Sequence, residues 1–368
     1  MKLIIAGGGT GGHLFPGIAV AEEFLSRDPS NEVLFVGTER GIEARAVPAA
    51  GYQLKLISAA GIRGKGIFSQ FRGTAMMAYG YAQSRKILKS FRPDVVLGVG
   101  GYASLPMVLA ARGMKIHRFI HEQNAIPGLT NRFLARFANK VFITLEESGR
   151  YFPAVSTMLT GNPLRRQILD SLGNANHPSN TALSKDVSEQ PEFHLLVFGG
   201  SQGAHAINAA MTEALPLLKD CPVRLSITHQ TGEKECTEVN AAYRSAGIEA
   251  QVAPFIDNMA AEYARADLII CRAGATTIAE VTACGKACLF IPFPYAVDDH
   301  QRRNAEALLK KDACFMMLER ELSGKTLADS ICTLSADPVL VQRTGELAFL
   351  LSKLDAARII VDEMLSIN

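Results

Sequence analysis

The amino-acid sequence predicts an α/β protein of two doubly wound, parallel-sheet domains. Three observations carry that prediction. Apolar runs of strand length alternate with segments of helical periodicity along the whole chain. The 368 residues exceed what one hydrophobic core serves comfortably and suit two domains. The same opening, an apolar strand running into glycines and then a helix, occurs twice, as IIAGGGTGGH (4–13) and LLVFGGSQGAH (195–205). A duplicated Rossmann-like architecture with a ligand cleft is the expectation.

Taken in order, the first half offers six strands: KLIIAG (2–7), EVLFVG (32–37), QLKLIS (53–58), DVVLGV (94–99), HRFIHE (117–122) and KVFITL (140–145). They make one sheet. A polar stretch at 171–192 has no core face and reads as a linker. Six more strand signals follow at 193–200, 223–230, 249–255, 266–274, 286–293 and 313–318. The closing segment TGELAFLLSKLDAARIIVDEMLSIN (344–368) has helical periodicity and could cap its own domain or cross back to the first.

Charge is distributed unevenly. Residues 1–165 carry 20 Lys+Arg against 10 Asp+Glu, and the remainder 18 against 26. A basic first half suits a polyphosphate or an anionic membrane. Nucleic acid is disfavoured, because there is no arginine-rich arm and no zinc-finger spacing. Seven cysteines, all from Cys221 onward, cannot form a complete set of pairs within one chain, so free thiols of a reducing compartment are expected. No apolar run resembles a signal peptide or approaches the ~20 residues that span a bilayer, so any membrane contact is expected to be peripheral.

The glycine clusters carry the chemistry. GGGTGGH (7–13) has no lysine after its glycines and is not a P-loop. Gly7, Gly9 and Gly12 satisfy a dinucleotide pattern formally, but the second strand ends VLFVGTERG (33–41), without an acid at its tip for ribose. What survives is more general: residues without side chains let an oxygen-rich ligand approach backbone N–H groups at a helix N-terminus. His13, at the rim of that loop, can move a proton near neutral pH or serve as a helix-start residue. GGSQGAH (199–205) repeats the device and suits a pyrophosphate, and GVGGYAS (98–104) is a third such turn. In CRAGATTIAEVTACG (271–285), Glu280 is either a carboxylate for vicinal hydroxyls or a solvated helix residue. FPYAVDDHQRRNA (293–305) places Gln301 and Asn304 three apart on one helix face, which suits a hydroxyl-rich ligand. Asp298, Asp299 and His300 lack the spacing of a metal-binding aspartate pair, and no metal is expected. Together these point to a nucleotide-sugar enzyme.

On GGGTGGHLFPGIAVA (7–21), GVGGYAS (98–104), HEQNAIPGLTNRFLA (121–135), GNPLR (161–165), GGSQGAHAIN (199–208), PFIDNMAAEYARADLIICRAGATTIAE (254–280) and DDHQRRNA (298–305), the sequence resembles the MurG family. These are peripheral membrane N-acetylglucosaminyltransferases that make lipid II in peptidoglycan synthesis. The motifs run in order over nearly the whole chain.

The resemblance implies a GT-B fold: an acceptor and membrane-facing domain at 1–165, a UDP-GlcNAc domain at 166–345, and a helix at 346–368 crossing back to the first domain. It implies that the backbone of Ile256 reads uracil and that Glu280 holds ribose. Ser201 with its loop, Gln202 and Gly203, and the turn Gly274, Ala275, Thr276 and Thr277 would hold the diphosphate, Ile278 and Ala279 would be further donor contacts, and Gln301 and Asn304 would bind the GlcNAc hydroxyls. Arg165 matches a further donor-contact position, its permanent charge offsetting the departing diphosphate. The acceptor, undecaprenyl-pyrophosphoryl-MurNAc-pentapeptide (lipid I), would rest against Gly8, Gly9, Thr10, Gly11, Gly12 and His13 with Gly101, Tyr102 and Asn124. Thr10, Gly11, Gly12 and Asn124 count toward the donor as well. His13 would be the general base of an inverting transfer to the C4 hydroxyl of MurNAc, with Glu122 second. No tightly bound cofactor and no metal are implied. The expected partners are lipid I and an anionic phospholipid surface at the cytoplasmic face of the inner membrane, with other cell-wall synthesis and division proteins; nucleic acid is not among them. Segment 63–92, with six Lys/Arg before residue 90 interleaved with Ile67, Phe68, Phe71, Met76, Met77 and Tyr79, is the candidate membrane face.

Overall fold

A computed structural model of the chain describes residues 1–59, 67–174, 192–200 and 202–367, with no side chains described for 67–74 and 173–174. The chain forms two compact units, Met1–Arg166 with Lys353–Asn368, and Gln167–Ser352.

The first unit begins with β1 (Lys2–Gly7), α1 (Gly11–Arg27), β2 (Glu32–Gly37), α2 (Glu43–Ala49), β3 (Gln53–Leu56) and α3 (Ile67–Phe91). It continues through β4 (Val95–Gly100), α4 (Ser104–Gly113), β5 (His117–Glu122), α5 (Leu129–Leu134), β6 (Lys140–Ile143) and β7 (Thr157–Leu159). The strands are parallel throughout, in the order β3-β2-β1-β4-β5-β6-β7. One strand more than expected is present, because TML (157–159) is too short to show a pattern of its own and is recognisable only by its pairing with β6.

Both faces of this sheet are covered, as parallel sheets require. Alternate residues of β1 serve opposite cores. Leu3 and Ile5 pack with Leu14, Ile18 and Phe24 of α1. Ile4 and Ala6 pack with Leu88 of α3 and with Met107, Val108 and Ala111 of α4.

Helix α6 (Arg166–Asn174) leads into the second unit. That unit contains β8 (Glu192–Phe198), α7 (His205–Leu218), β9 (Arg224–Gln230), α8 (Cys236–Ala246), β10 (Ala250–Ala253), α9 (Met259–Arg265) and β11 (Leu268–Cys271). Then come α10 (Ala275–Ala283), β12 (Ala287–Phe290), α11 (His300–Leu309), β13 (Phe315–Met316), α12 (Gly324–Ser335) and α13 (Pro338–Leu350). Its parallel sheet runs β10-β9-β8-β11-β12-β13. Leu195, Val197, Leu268 and Ile270 meet Ile207, Met211 and Leu215 of α7 on one face.

Two expectations are corrected here. Cys221 and Cys332 form a disulfide with a Cα–Cα separation of 5.2 Å, while Cys236, Cys271, Cys284, Cys288 and Cys314 are free. The pair was hidden because Cys221, just past α7, meets Cys332 of α12 through the packing of those two helices although the cysteines are 111 residues apart. The closing segment is also not one helix from 346: residues 346–350 complete α13 in the second unit, and only α14 (Ala356–Leu365) joins the first.

α14 is held by burial and by charge. Ile360, Val361 and Met364 sit in the core beneath α1, Asp362 pairs with Arg27 at 2.8 Å, and Glu363 pairs with Lys140. Both ion pairs are partly exposed and contribute little; the three buried side chains supply the docking energy. Ile360→Ala is therefore expected to cost about 2–5 kcal/mol and to bring the first unit's urea transition to lower concentration. An unchanged urea profile would show that α14 is not integral to that core.

Candidate functional site

In a doubly wound sheet, ligands bind beyond the carboxyl ends of the strands where the strand order reverses. That reversal lies between β1 and β4 in the first unit and between β8 and β11 in the second. The glycine clusters sit at these two places. The helices that follow those strands, α1 and α4 in one unit and α7 and α10 in the other, have Thr10, Ala103, Ala204 and Gly274 at their N-caps, and none of the four makes a side-chain capping bond. Each unit thus aims two helix N-termini, with their partial positive charge, at its own reversal point.

In the first unit the glycine loop is tied down from within. The Gly8 N–H donates to the Gly100 carbonyl at 3.2 Å. The Gly9 N–H donates to Glu43 Oε2 at 2.7 Å, and the N–H and hydroxyl of Thr38 donate to Glu43 Oε1 at 2.8 and 3.0 Å. Glu43 is 1% exposed. Gly8 and Gly9, expected as acceptor contacts, therefore have their N–H groups spent inside the protein in this structure. Glu43 was invisible to the search for an acid at the tip of the second strand, since it lies six residues past Gly37.

His13 lies on the first turn of α1, half-buried, with Nδ1 2.9 Å from Gln123 Oε1. Tyr102 is exposed, and Gly101 and Asn124 are half-buried.

Glu122 is a different matter. It is 1% exposed, and its oxygens accept from the N–H and Nδ2 of Asn124 (2.9 and 3.3 Å), the Gly128 N–H (3.3 Å) and Asn131 Nδ2 (2.9 Å). Burial pushes its carboxyl up, and these bonds oppose the rise. A carboxylate so enclosed fastens the 124–131 loop to β5, which speaks for a structural anchor over the second-choice base. Arg165 belongs to the first unit, with its guanidinium 5.5 Å from the centre of the Phe15 ring.

In the second unit, Gly203 has φ +75°, and a Cβ there would fall 1.9 Å from the Thr231 carbonyl, so only glycine closes this turn. Gln202 is exposed, and Ser201 lies outside the described residues. Gln230, at the end of β9, donates from Nε2 to the Gly200 carbonyl at 2.9 Å and accepts from the Ile256 N–H at 2.8 Å. One side chain thus joins the glycine loop to the segment expected to read a base. The Ile256 N–H is engaged with Gln230 in this structure.

Gly274, Ala275, Thr276 and Thr277 form the start of α10. The Ile278 N–H donates to the Gly274 carbonyl and its side chain is buried, so Ile278 supports the helix; Ala279 follows it, half-buried. Glu280, one turn further, accepts from the Tyr263 hydroxyl at 3.1 Å.

Gln301 and Asn304 share the first turns of α11. Gln301 accepts from the Phe293 N–H at 3.0 Å. Asn304 is 0% exposed and donates to the Ala273 carbonyl at 3.3 Å. It fastens α11 to the turn before α10. Just before α11, Asp298 and Asp299 both adopt left-handed backbone angles, φ 53° and 54°, a conformation aspartate tolerates better than most side chains. Among the described residues, no group of three or more His, Cys, Asp or Glu is placed to hold a metal.

Comparison with known proteins follows this geometry closely. The glycosyltransferase family 28 N-terminal domain matches residues 3–143 and the corresponding C-terminal domain residues 194–355. A curated relative from Pelobacter propionicus is 70% identical over 100% of this chain and 99% of its own. One from Geobacter sulfurreducens is 64% identical over 100% and 98%. Both are named as UDP-N-acetylglucosamine–N-acetylmuramyl-(pentapeptide) pyrophosphoryl-undecaprenol N-acetylglucosamine transferases. The crystal structure of Acinetobacter baumannii MurG is similar with a TM-score of 0.79 at 31% identity, covering 100% of this chain and 99% of that one. A UDP-GlcNAc 2-epimerase from Neisseria meningitidis, at 0.67 and 14% over the full length of both, shares the fold alone. The fold is α/β of the GT-B type.

Two buried histidines give these units a pH signature. Burial lowers His121 in the first unit and His229 in the second from the ordinary 6.5 to about 4. The unfolded chain takes up those protons near pH 6.5 and the folded chain does not until about pH 4, so the stabilisation is complete above pH 6.5 and is lost as pH falls toward 4. The loss reaches about 3 kcal/mol per histidine. Urea midpoints should fall steeply between pH 6.5 and 4.5, and His229→Gln should flatten that slope for the second unit only.

Proposed function

The chain belongs to glycosyltransferase family 28, and from that membership we infer that it transfers GlcNAc from UDP-GlcNAc to the MurNAc of undecaprenyl-pyrophosphoryl-MurNAc-pentapeptide, releasing UDP. The observation that carries the reading is the doubled switch point. Each unit offers two helix N-termini without side-chain caps at the carboxyl ends of its central strands, and each of the two substrates carries one diphosphate.

We assign the donor to the second unit. The turns 202–203 and 274–277 would hold its diphosphate, Glu280 would accept from the ribose hydroxyls with Tyr263 orienting it, and the Ile256 backbone would meet uracil. Gln301 and Asn304 would meet the sugar hydroxyls, and Arg165 the charge on departing UDP. The acceptor is assigned to the first unit, its diphosphate against the start of α1 and its C4 hydroxyl near His13.

The reaction is an inverting displacement. The hydroxyl oxygen attacks the anomeric carbon from the face opposite UDP, its proton passes to His13, and the carbon–oxygen bond electrons leave with UDP. Charge growing on UDP is met by oriented amides and Arg165, an arrangement that calls for no divalent ion.

Membrane attachment is peripheral in this reading. No helix of the described residues is long and apolar enough to cross a bilayer. Exposed Tyr79, Leu129 and Phe133 lie in a unit rich in basic side chains, and Arg85 and Lys86 are exposed on α3. Lys65, and the side chains of Ile67, Phe68, Phe71 and Arg72, lie outside the described residues. The anionic leaflet facing the cytoplasm is the proposed site of action.

Transfer of radiolabelled GlcNAc to lipid I tests this reading; binding of UDP-GlcNAc without UDP release would leave only a binding module. His13→Ala should lower kcat by about 10²- to 10⁴-fold, Glu280→Gln should raise KM for UDP-GlcNAc by about tenfold, and EDTA should leave turnover unchanged. Charge reversal at Lys65, Arg72, Arg85 and Lys86 should weaken binding to anionic vesicles by about 1 kcal/mol per residue, and unchanged binding would remove this surface from the account.

A further inference from the structure

A chain of directed hydrogen bonds runs from the tip of β5 to His13, and two backbone carbonyls set its direction. A carbonyl can only accept. The Gly161 carbonyl stands 3.2 Å from His121 Nε2, so that nitrogen carries hydrogen; the Thr144 hydroxyl lies 3.5 Å from the same atom. Buried and neutral, His121 then has a bare Nδ1, which accepts from Gln123 Nε2 at 3.1 Å. The second carbonyl gives the same orientation independently: Gln123 Nε2 donates to Val99 O at 2.9 Å, so this end of the amide is the nitrogen. Its oxygen therefore faces His13 Nδ1 at 2.9 Å, and Nδ1 must supply the hydrogen. On neutral His13 the remaining nitrogen, Nε2, is a bare acceptor.

We propose that Gln123, backed by His121, is a positioning residue that locks His13 in the tautomer whose Nε2 is free to accept the substrate hydroxyl proton. This rests on the reading of His13 as the base and adds what orients it. Gln123 is 1% exposed and both ends of its amide are engaged, so it cannot turn over without breaking bonds to Val99 and His121. Burial keeps His121 neutral down to about pH 4, so its bare Nδ1 persists throughout the working range. The partner of His13 is a neutral amide, in contrast to the carboxylate that orients histidine in serine hydrolases. When the hydroxyl proton reaches Nε2, the resulting imidazolium is oriented by the neutral Gln123, and the buried Glu122 carboxylate is near enough to interact with its charge.

The test combines nitrogen-15 NMR of histidine-labelled full-length protein with steady-state transfer kinetics. In the wild type, His13 should carry its hydrogen on Nδ1. Gln123→Met, close in shape and without an acceptor oxygen, should shift His13 toward the other tautomer and lower kcat by about tenfold or more, with KM for UDP-GlcNAc within about twofold. Gln123→Glu keeps an acceptor for Nδ1–H and should retain the wild-type tautomer. Wild-type His13 protonated on Nε2, a Gln123→Met protein with the tautomer unchanged, or one with the tautomer shifted and kcat intact would each overturn the proposal. Should Gln123→Met fail to fold, the wild-type and Gln123→Glu spectra still decide it. Near-normal kcat in His13→Ala is a separate outcome: it removes the base while leaving the tautomer measurement to stand on its own.

Discussion

Reversal of strand order at the centre of each parallel sheet is the constraint from which the rest of this molecule follows. Parallel strands need helical crossovers, and where the order reverses, the crossovers from two neighbouring strands depart to opposite faces. The carboxyl ends of β1 and β4, and of β8 and β11, are therefore left uncovered side by side. The helices that follow start there with their N-terminal dipole ends and no side-chain caps, so the gap is electropositive before any side chain is considered. Glycine is needed at these turns because the chain must pass within contact distance of its neighbour, as Gly203 passes Thr231.

The buried polar residues in these gaps act chiefly as fasteners. Glu43 binds the first glycine loop to the turn after β2, Glu122 binds the 124–131 loop to β5, and Asn304 binds α11 to the turn before α10. Each offsets its loss of hydration by gathering backbone or amide donors, or by giving up its own, which is the condition for burying such a group. Paired carboxylates near a cleft look like acid–base machinery in a sequence. Here the half-buried histidine is the residue proposed for that role, while a saturated carboxylate holds the loop beside it.

Strands, glycine turns and the duplication were legible in the sequence because they rest on local pattern: β1, β2 and β5 begin and end where the apolar runs do. The short β7, the Cys221–Cys332 bond and the division between α13 and α14 were not, since each depends on contacts between distant segments. The same holds within the site. His13 and Glu280 stand out by type and position, whereas Glu43, Gln123 and Gln230 matter through partners 34, 110 and 30 residues away. His121 and Gln123 did lie inside a conspicuous run, HEQNAIPG (121–128). Only the folded geometry separates the orienting residues His121 and Gln123 from the anchor Glu122.

The two glycine loops look alike in sequence yet differ in electrostatic setting, and that difference bears on which ligand each favours. Behind the first loop stands a buried carboxylate that has already claimed the Gly9 amide, so a ligand whose charge grows during the reaction would meet fewer donors and a nearby acid there. Behind the second stands a neutral amide, Gln230, which takes up the Gly200 carbonyl and so turns an acceptor away from the site. A departing nucleoside diphosphate gathers negative charge as the reaction proceeds and needs the more positive of the two settings. The loop whose spacing fits a dinucleotide fingerprint is thus the one less suited to a nucleotide, because no acid stands at the tip of its second strand and the nearby Glu43 is bonded to the loop itself.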